Sequence, residues 1–189
     1  MMILKMSDLP EGYFYPGDIM AYRHIVRLLP DMSYMCELGT WRGRSLCSLA
    51  DVLVEKSMKA VGIDTFMGTP SEVENGDYKE VHTQDVLKLF TDDLDRLGIR
   101  DRVQVIKGDT VSSATQFADN TFDLIFVDAD HSYKCCKADI TTWLPKLKKG
   151  GIIAGHDYVR GKDVVTVVKE VLGKVNKFAE SAVWWKVMP

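Results

Sequence analysis

The most constraining feature of this 189-residue chain is an alternation of two hydrophobic patterns that runs from Tyr34 to the end. Short apolar runs that are typical of buried strands are followed by longer stretches whose apolar residues recur at helical spacing. Such an alternation is typical of a largely parallel sheet with helices on both faces. We therefore predict a doubly wound α/β fold.

The predicted elements follow from these two patterns. The predicted strands are Tyr34–Leu38, Ala60–Ile63, Val103–Ile106, Phe122–Val127, Gly151–Ala154 and Val183–Val187. The predicted helices are Asp18–Leu29, Ser45–Val54, Gln84–Leu97, Ser112–Phe117, Lys134–Leu147 and Val164–Val175. The first helix ends before Pro30 and lies outside the repeat, so we expect it to pack on the sheet or to cover the site.

The organisation of the chain is expected to be simple. A length of 189 residues fits one domain, with residues 1–30 forming an N-terminal arm and helix. The long connection Thr65–His82 is expected to be either a functional loop or a plain surface insertion.

Composition and charge exclude several classes of protein. Hydrophobic residues make up 46% of the chain, but no apolar run approaches the roughly 18 residues that a membrane span needs. The net charge is −3 with scattered basic residues, which argues against nucleic acid as a partner. Lys5 and Asp8 argue against a secretion signal, and the four cysteines show no CxxC spacing. We therefore expect free thiols and a cytoplasmic protein.

A glycine-bearing turn between the first strand and the next helix is the expected cofactor site, with the sequence Glu37-Leu-Gly-Thr-Trp-Arg-Gly-Arg-Ser45. Trp41 stands where a dinucleotide fingerprint requires glycine. Glu37 would repel a pyrophosphate but favours the positive charges of S-adenosylmethionine. The turn therefore favours S-adenosylmethionine over a nicotinamide dinucleotide.

Two further acids follow the next two strands. Asp64 ends the second strand, about 27 positions beyond Glu37, and can accept both ribose hydroxyls. Asp109 and Thr110 follow the third strand, within reach of an adenine amino group. An acid at the end of a strand can equally be a helix cap. Three strand ends nevertheless converge on one predicted ligand.

The segments ELGTWRGRS, GIDTF, FDLIFVDADHSY and GGIIAGHDY resemble the class I S-adenosylmethionine-dependent methyltransferases from about Tyr34 to Val187. They are most similar to the methyltransferase domain 24 type, a small group with macrolide-sugar O-methyltransferases and proteins labelled cephalosporin hydroxylase. The resemblance implies a Rossmann-like seven-stranded sheet with an antiparallel last strand, for which Trp184–Val187 is available. The implied cofactor-binding residues are Glu37, Gly39, Thr40, Gly43, Ser45, Asp64, Thr65, Asp109, Thr110 and Asp128.

The reaction centre is expected where the fourth strand runs into Asp128 and His131 and the fifth into His156 and Asp157. Methyl transfer requires an aligned acceptor, removal of its proton and exclusion of water. The resemblance implies a divalent ion, Mg²⁺ or Mn²⁺, on Asp128, His156 and Asp157. An imidazole ligand suits Zn, Mn or Fe better than Mg²⁺. Without a metal, His131 or His156 would be the general base. The candidate catalytic residues are Asp128, His131 and His156.

The expected function is methyl transfer from S-adenosylmethionine to a small-molecule acceptor, such as a hydroxyl oxygen of a sugar or secondary metabolite. The alternatives are an N-methyl acceptor, a cofactor-binding module without turnover, and a nicotinamide-dependent oxidoreductase, which Trp41 disfavours. The aromatic run Tyr13–Tyr15 would either pack on the sheet or close over the acceptor. Trp184 and Trp185 must point to opposite faces of a strand, so one of them could contribute to a homodimer interface.

Overall fold

A computed structural model describes residues 5–69, 83–158 and 162–189. The strands of these residues are β1 Tyr34–Leu38, β2 Lys59–Asp64, β3 Val103–Lys107, β4 Phe122–Val127, β5 Leu147–Gly155, β6 Asn176–Lys177 and β7 Trp184–Val187. They form one seven-stranded sheet in the order β3-β2-β1-β4-β5-β7-β6. β1 to β5 are parallel, and β7 runs antiparallel to both of its neighbours. The predicted α/β sheet with an antiparallel last strand is confirmed.

The α-helices of the described residues surround this sheet. They are α1 Pro16–Leu28, α2 Arg44–Cys47, α3 Ala50–Glu55, α4 Val86–Arg96, α5 Thr110–Ser113, α6 Tyr133–Trp143 and α7 Lys162–Leu172. The single helix predicted over Ser45–Val54 is wrong, because the chain forms α2 and α3 instead. The hydroxyl of Ser48 donates to the carbonyl of Ser45 at 2.6 Å, a local bond that competes with helix propagation.

Most strand boundaries lie within one residue of the prediction, but the start of β5 and the presence of β6 differ from it. β5 begins at Leu147, four residues before the predicted start, and its early part contains Lys148 and Lys149. Polar residues at the solvated end of the strand hide its extent from a hydrophobicity pattern. β6 was not predicted, since both of its residues are exposed. Residues 70–82 of the long connection Thr65–His82 lie outside the described part of the chain.

The core has two layers, one on each face of the sheet. Along β4, Phe126 packs into the layer that includes α1 and α4, whereas Ile125 and Val127 pack into the layer that includes α6 and α7. This alternation is the period of two that a strand imposes on its side chains. Tyr22 of α1 stacks on Phe126 with 4.0 Å between ring centroids, so α1 packs on the sheet. No helix of the described residues is long and apolar enough to span a bilayer.

The register of the central strands places the site. Leu38 at the end of β1 pairs with Ile63 of β2 and with Val127 of β4, and Val127 pairs with Gly155 of β5. The residues that follow these strands therefore lie at one level of the carboxyl edge. The strand order changes direction between β1 and β4, which is where α/β sheets form their ligand crevice.

Candidate active site

The turn after β1 approaches neighbouring elements so closely that two of its positions have no room for a side chain. Gly39 has a φ of +84°, and a Cβ there would overlap the carbonyl oxygen of Asp128. Gly43 has a φ of +76°, and a Cβ there would overlap the ring of Phe90 on α4. Trp41 also has a positive φ of 47°, unusual for a large side chain. Glycine is thus required at two points where the turn meets other elements.

A cleft of about 310 Å³ opens between the loops that follow β1, β2, β3 and β4. Its volume is within the usual range for small-molecule sites. The predicted cofactor residues that line it are Gly39, Asp64, Thr65, Asp109, Thr110 and Asp128. The structure therefore brings together the three strand ends that the sequence analysis assigned to one ligand.

Glu37 lies beneath the turn and does not line the cleft. Its side chain is fully buried and accepts hydrogen bonds from the Ser45 hydroxyl at 2.6 Å and the Tyr22 hydroxyl at 2.9 Å. Burial raises the pKa of Glu37 to about 8, although the two hydrogen bonds oppose the shift. Near neutral pH the carboxyl is therefore largely protonated. The other predicted residues outside the cleft lining are Thr40, Gly43 and Ser45.

Two of the acids that line the cleft, Asp64 and Asp109, are oriented by backbone N–H groups. Asp64 accepts from the backbone N–H of Trp41 at 2.7 Å and from that of Phe66 at 2.6 Å. Burial raises the pKa of the Asp64 carboxyl, and these bonds oppose the rise. Asp109 accepts from the backbone N–H of Ser112 at 2.8 Å and so caps α5 while also lining the cleft. The carboxylates are thus fixed before any ligand binds.

Asp128, His131 and Asp157 form a compact polar cluster beside the cleft. One nitrogen or oxygen atom from each side chain lies within 4.8 Å of the others, and all three residues are partly exposed. The His131 Nε2 atom is 3.2 Å from Asp157 Oδ2 and 3.7 Å from Asp128 Oδ1. Two carboxylates and an imidazole are a donor set that suits a divalent ion.

His156 lies behind this cluster. Its side chain is 5% exposed, its Nδ1 atom is 3.0 Å from Asp157 Oδ2, and its Nε2 atom is 3.2 Å from Asp18 Oδ2. Burial alone would lower the pKa of His156, but Asp128, Asp157 and Asp18 raise it to about 12. The sequence analysis assigned His156 to the metal set, whereas the ligand-capable group of the described residues contains His131 instead. His156 Nδ1 nevertheless lies 3.6 Å from Asp128 Oδ1 and 3.0 Å from Asp157 Oδ2, so the metal role of His156 stays a prediction.

A family model described as a methyltransferase domain matches residues 36–158 of the chain. The chain belongs to this family. The matched region runs from β1 through the cleft to Asp157, so it includes every residue of the polar cluster. The predicted membership of the S-adenosylmethionine-dependent methyltransferases is confirmed.

A curated relative and a solved structure share little sequence identity with this methyltransferase-family chain. Catechol O-methyltransferase from Mycobacterium tuberculosis (strain ATCC 25618 / H37Rv) is 25% identical over 134 residues, which cover 66% of this chain and 58% of that protein. The match thus spans less than two thirds of that relative's length. The O-methyltransferase NovP has a TM-score of 0.71 at 16% identity, covering 91% of this chain and 79% of its own.

A second solved structure, CalS11, is a TDP-rhamnose 3'-O-methyltransferase from calicheamicin biosynthesis. It has a TM-score of 0.58 at 18% identity and covers 92% of this chain and 81% of its own. At these identities the two structural matches establish the shared fold.

Asp139 and Asp18 are polar residues of this methyltransferase-family site that the sequence analysis missed. Asp139 of α6 lines the cleft, is 2% exposed and accepts from the Thr110 hydroxyl at 2.5 Å. Burial raises the pKa of Asp139 to about 6. Asp18 of α1 reaches His156 from the opposite side of the site. An acid within an amphipathic helix or at a helix start looks like solvated surface or a cap, so neither residue carried a signal of its role.

Some of the aromatic residues that flank the site are buried against it, and others are exposed to solvent. Phe14 is buried, and its ring centroid is 5.1 Å from that of His156, whereas Tyr13 and Tyr15 are about half exposed. Trp184 is fully buried and donates its ring N–H to the His156 carbonyl at 3.2 Å, and Trp185 is half-buried. Phe14 and Trp184 thus pack around His156.

Proposed function

We propose that this chain transfers the methyl group of S-adenosylmethionine to a hydroxyl oxygen of a small molecule, such as a sugar or a secondary metabolite. The observation that carries the proposal is the adjacency of the cleft and the polar cluster, which share Asp128. The O-methyltransferase names of the relatives support an oxygen acceptor, and the sugar substrate in the name of CalS11 supports a sugar. A nicotinamide reaction is disfavoured because Trp41 lines the cleft where a pyrophosphate would need glycine.

The cleft residues fit S-adenosylmethionine, which when bound supplies a methyl group activated by its sulfonium. Asp64 would accept the ribose hydroxyls, because backbone N–H groups already orient its carboxylate. Asp109 and Thr110 would contact the adenine, and Gly39 and Asp128 lie nearer the reaction centre. Glu37 would act from beneath by holding the turn through Ser45 rather than by touching the cofactor.

The cluster of Asp128, His131 and Asp157 would perform the proton chemistry. We propose these three residues as ligands of a divalent ion, Mg²⁺ or Mn²⁺, which when bound would lower the pKa of an acceptor hydroxyl. In a metal-independent reaction, His131 would accept the hydroxyl proton, and Asp157 and Asp128 would stabilise the resulting imidazolium. His156 is 5% exposed and already held by carboxylates, so we assign it a supporting role.

A methyl-transfer assay on the full chain tests this function. Labelled S-adenosylmethionine would be combined with catechol, a TDP-sugar and an aryl amine, first with EDTA and then with added Mg²⁺ or Mn²⁺. We expect methylation of a hydroxyl acceptor, and for His131→Ala a loss of about 10²- to 10⁴-fold in kcat. His24→Ala is the matched control, because His24 contacts Phe178 away from the cluster.

The outcomes of this assay separate the alternatives. Methylation of the amine alone would replace the oxygen acceptor by a nitrogen acceptor. Cofactor binding without any product would favour a module without turnover. Equal rates for His131→Ala and His24→Ala would contradict the assigned role of His131. The cytoplasmic location, the single-domain organisation and the homodimer stay predictions.

A further inference from the structure

One face of α1 contacts buried polar groups that lie beneath the cofactor cleft and behind the polar cluster. Asp18 and Tyr22 are four residues apart and so lie on the same face of the helix. Tyr22 donates to Glu37 beneath the β1 turn, and Asp18 meets His156 behind the polar cluster. Both α1 residues are almost completely buried. The N-terminal helix therefore belongs to the support of the site.

The carboxylate of Asp18 is fixed by several partners besides His156. Its Oδ1 atom accepts from the Ser181 hydroxyl and from the Ala182 backbone N–H, each at 2.9 Å. Its Oδ2 atom accepts from the Tyr15 backbone N–H at 3.1 Å and lies 3.2 Å from His156 Nε2. These contacts come from both ends of the chain, so they hold the Asp18 carboxylate in a fixed position against the His156 imidazole.

His156 connects the fixed Asp18 carboxylate to the polar cluster. While Nε2 faces Asp18, the opposite nitrogen Nδ1 is 3.0 Å from Asp157 Oδ2 and 3.6 Å from Asp128 Oδ1. Asp157 Oδ2 is the same atom that lies 3.2 Å from His131 Nε2. A continuous row of contacts therefore runs from Asp18 through His156 and Asp157 to His131.

We propose that Asp18 is a positioning residue that fixes the His156 ring and, through it, the Asp157 and Asp128 carboxylates that face His131. The role is indirect, because a buried His156 keeps Asp18 away from any acceptor. Groups that orient the residues of a reaction centre typically change activity or metal affinity by about 10- to 100-fold when they are replaced. This inference rests on the proposed function of the polar cluster.

A purely structural role for Asp18 predicts a different result. In that case Asp18 would only anchor α1, as Arg23 does through its paired bonds of 2.6 and 2.7 Å to Asp51 of α3. The Arg23–Asp51 pair does not touch the polar cluster in the described residues. Asp51→Asn is therefore a matched control for Asp18→Asn, since each substitution weakens one anchor of α1.

Histidine ring NMR of the full-length protein tests the proposal without requiring turnover. We expect a slowly exchanging Nε2–H signal from His156, assigned by its loss in His156→Gln. In Asp18→Asn that proton should exchange at least about tenfold faster, and the ring signals of His131 should shift as well. Asp51→Asn should leave both rings unchanged.

Several results would overturn the proposal. One is a His131 ring that does not shift in Asp18→Asn, and another is an equal response in Asp51→Asn. If Asp18→Asn does not fold, the unmodified protein still decides, because absence of a slowly exchanging Nε2–H from His156 contradicts the Asp18 contact. S-adenosylhomocysteine affinity should stay within about twofold of wild type in the folded variants.

Kinetics extend the same test where an acceptor is turned over. Asp18→Asn should lower kcat by about 10- to 100-fold with little change in the KM for S-adenosylmethionine. In a His156→Gln background, Asp18→Asn should cause no further loss, because its effect acts through the imidazole. Additive losses would contradict that route. Failure to bind S-adenosylhomocysteine would refute the proposed function, whereas the ring signals test Asp18 independently.

Discussion

The cofactor cleft and the polar cluster lie side by side at one sheet edge, yet their acids are held in different ways. In the cleft, Asp64 accepts from the backbone N–H groups of Phe66 and Trp41, two and 23 residues away, and Asp109 accepts from that of Ser112, three residues away. In the cluster, the supporting contact joins His156 to Asp18, which is 138 positions earlier in the chain. Backbone N–H groups thus orient these two acids of the cofactor half, whereas contacts between side chains hold the reaction half.

On the cofactor side, Glu37 differs from Asp64 and Asp109 because it is held by the side chains of Tyr22 and Ser45. Its replacement should have the largest effect on the free energy of unfolding. Burial raises its pKa to about 8, so between about pH 4.5 and 8 the folded chain keeps a proton that the unfolded chain releases. Its contribution is fully present below pH 4.5 and is lost as the pH rises through 8. We expect the stability advantage of wild type over Glu37→Gln to shrink by about 4 kcal/mol across this window.

Urea unfolding of both proteins at several pH values measures this difference. Glu55→Gln is the control, because Glu55 is half exposed and pairs with Arg27 at the surface. The control should follow wild type at every pH. A constant difference between wild type and Glu37→Gln from pH 4.5 to 9 would mean that Glu37 ionises normally.

Replacement of Asp64 should weaken cofactor binding without disturbing the polar cluster. We expect Asp64→Ala to weaken S-adenosylhomocysteine binding by roughly 1.5 to 3 kcal/mol, because hydrogen bonds from the ribose to a charged acceptor are lost. Calorimetric titration measures the change. Asp92→Ala serves as a control, since Asp92 is exposed and pairs with Lys88 on α4. Unchanged affinity in Asp64→Ala would show that the ribose lies elsewhere.

Asp109 should have the smallest effect on stability. Asp109→Ala removes the cap of α5 and should lower the free energy of unfolding by about 1 kcal/mol. Asp85→Ala is the matched variant, because Asp85 caps α4 through the Lys88 N–H at 3.0 Å. Thermal unfolding should show similar losses for both, but only Asp109→Ala should also weaken S-adenosylhomocysteine binding. Equal S-adenosylhomocysteine affinities in the two variants would mean that Asp109 only caps α5 and does not contact the cofactor.

The same contrast explains how much the sequence could predict. The buried strands and the cleft acids were predictable, because hydrophobic periodicity and an acid directly after a strand are local patterns. Asp18 was not, since its role appears only when α1 packs against the loop before β7. The grouping of His131 with Asp128 and Asp157 likewise depends on side-chain direction, which the order of residues does not specify.

We expect the cleft to bind an S-adenosylmethionine-type cofactor beside a centre that can hold a divalent ion. The most direct test is calorimetric titration of the metal-stripped chain with S-adenosylhomocysteine, repeated after addition of Mg²⁺ and then Mn²⁺. We predict micromolar binding, with an additional heat from the ion that His131→Ala abolishes. The absence of binding under every condition would contradict the proposed function.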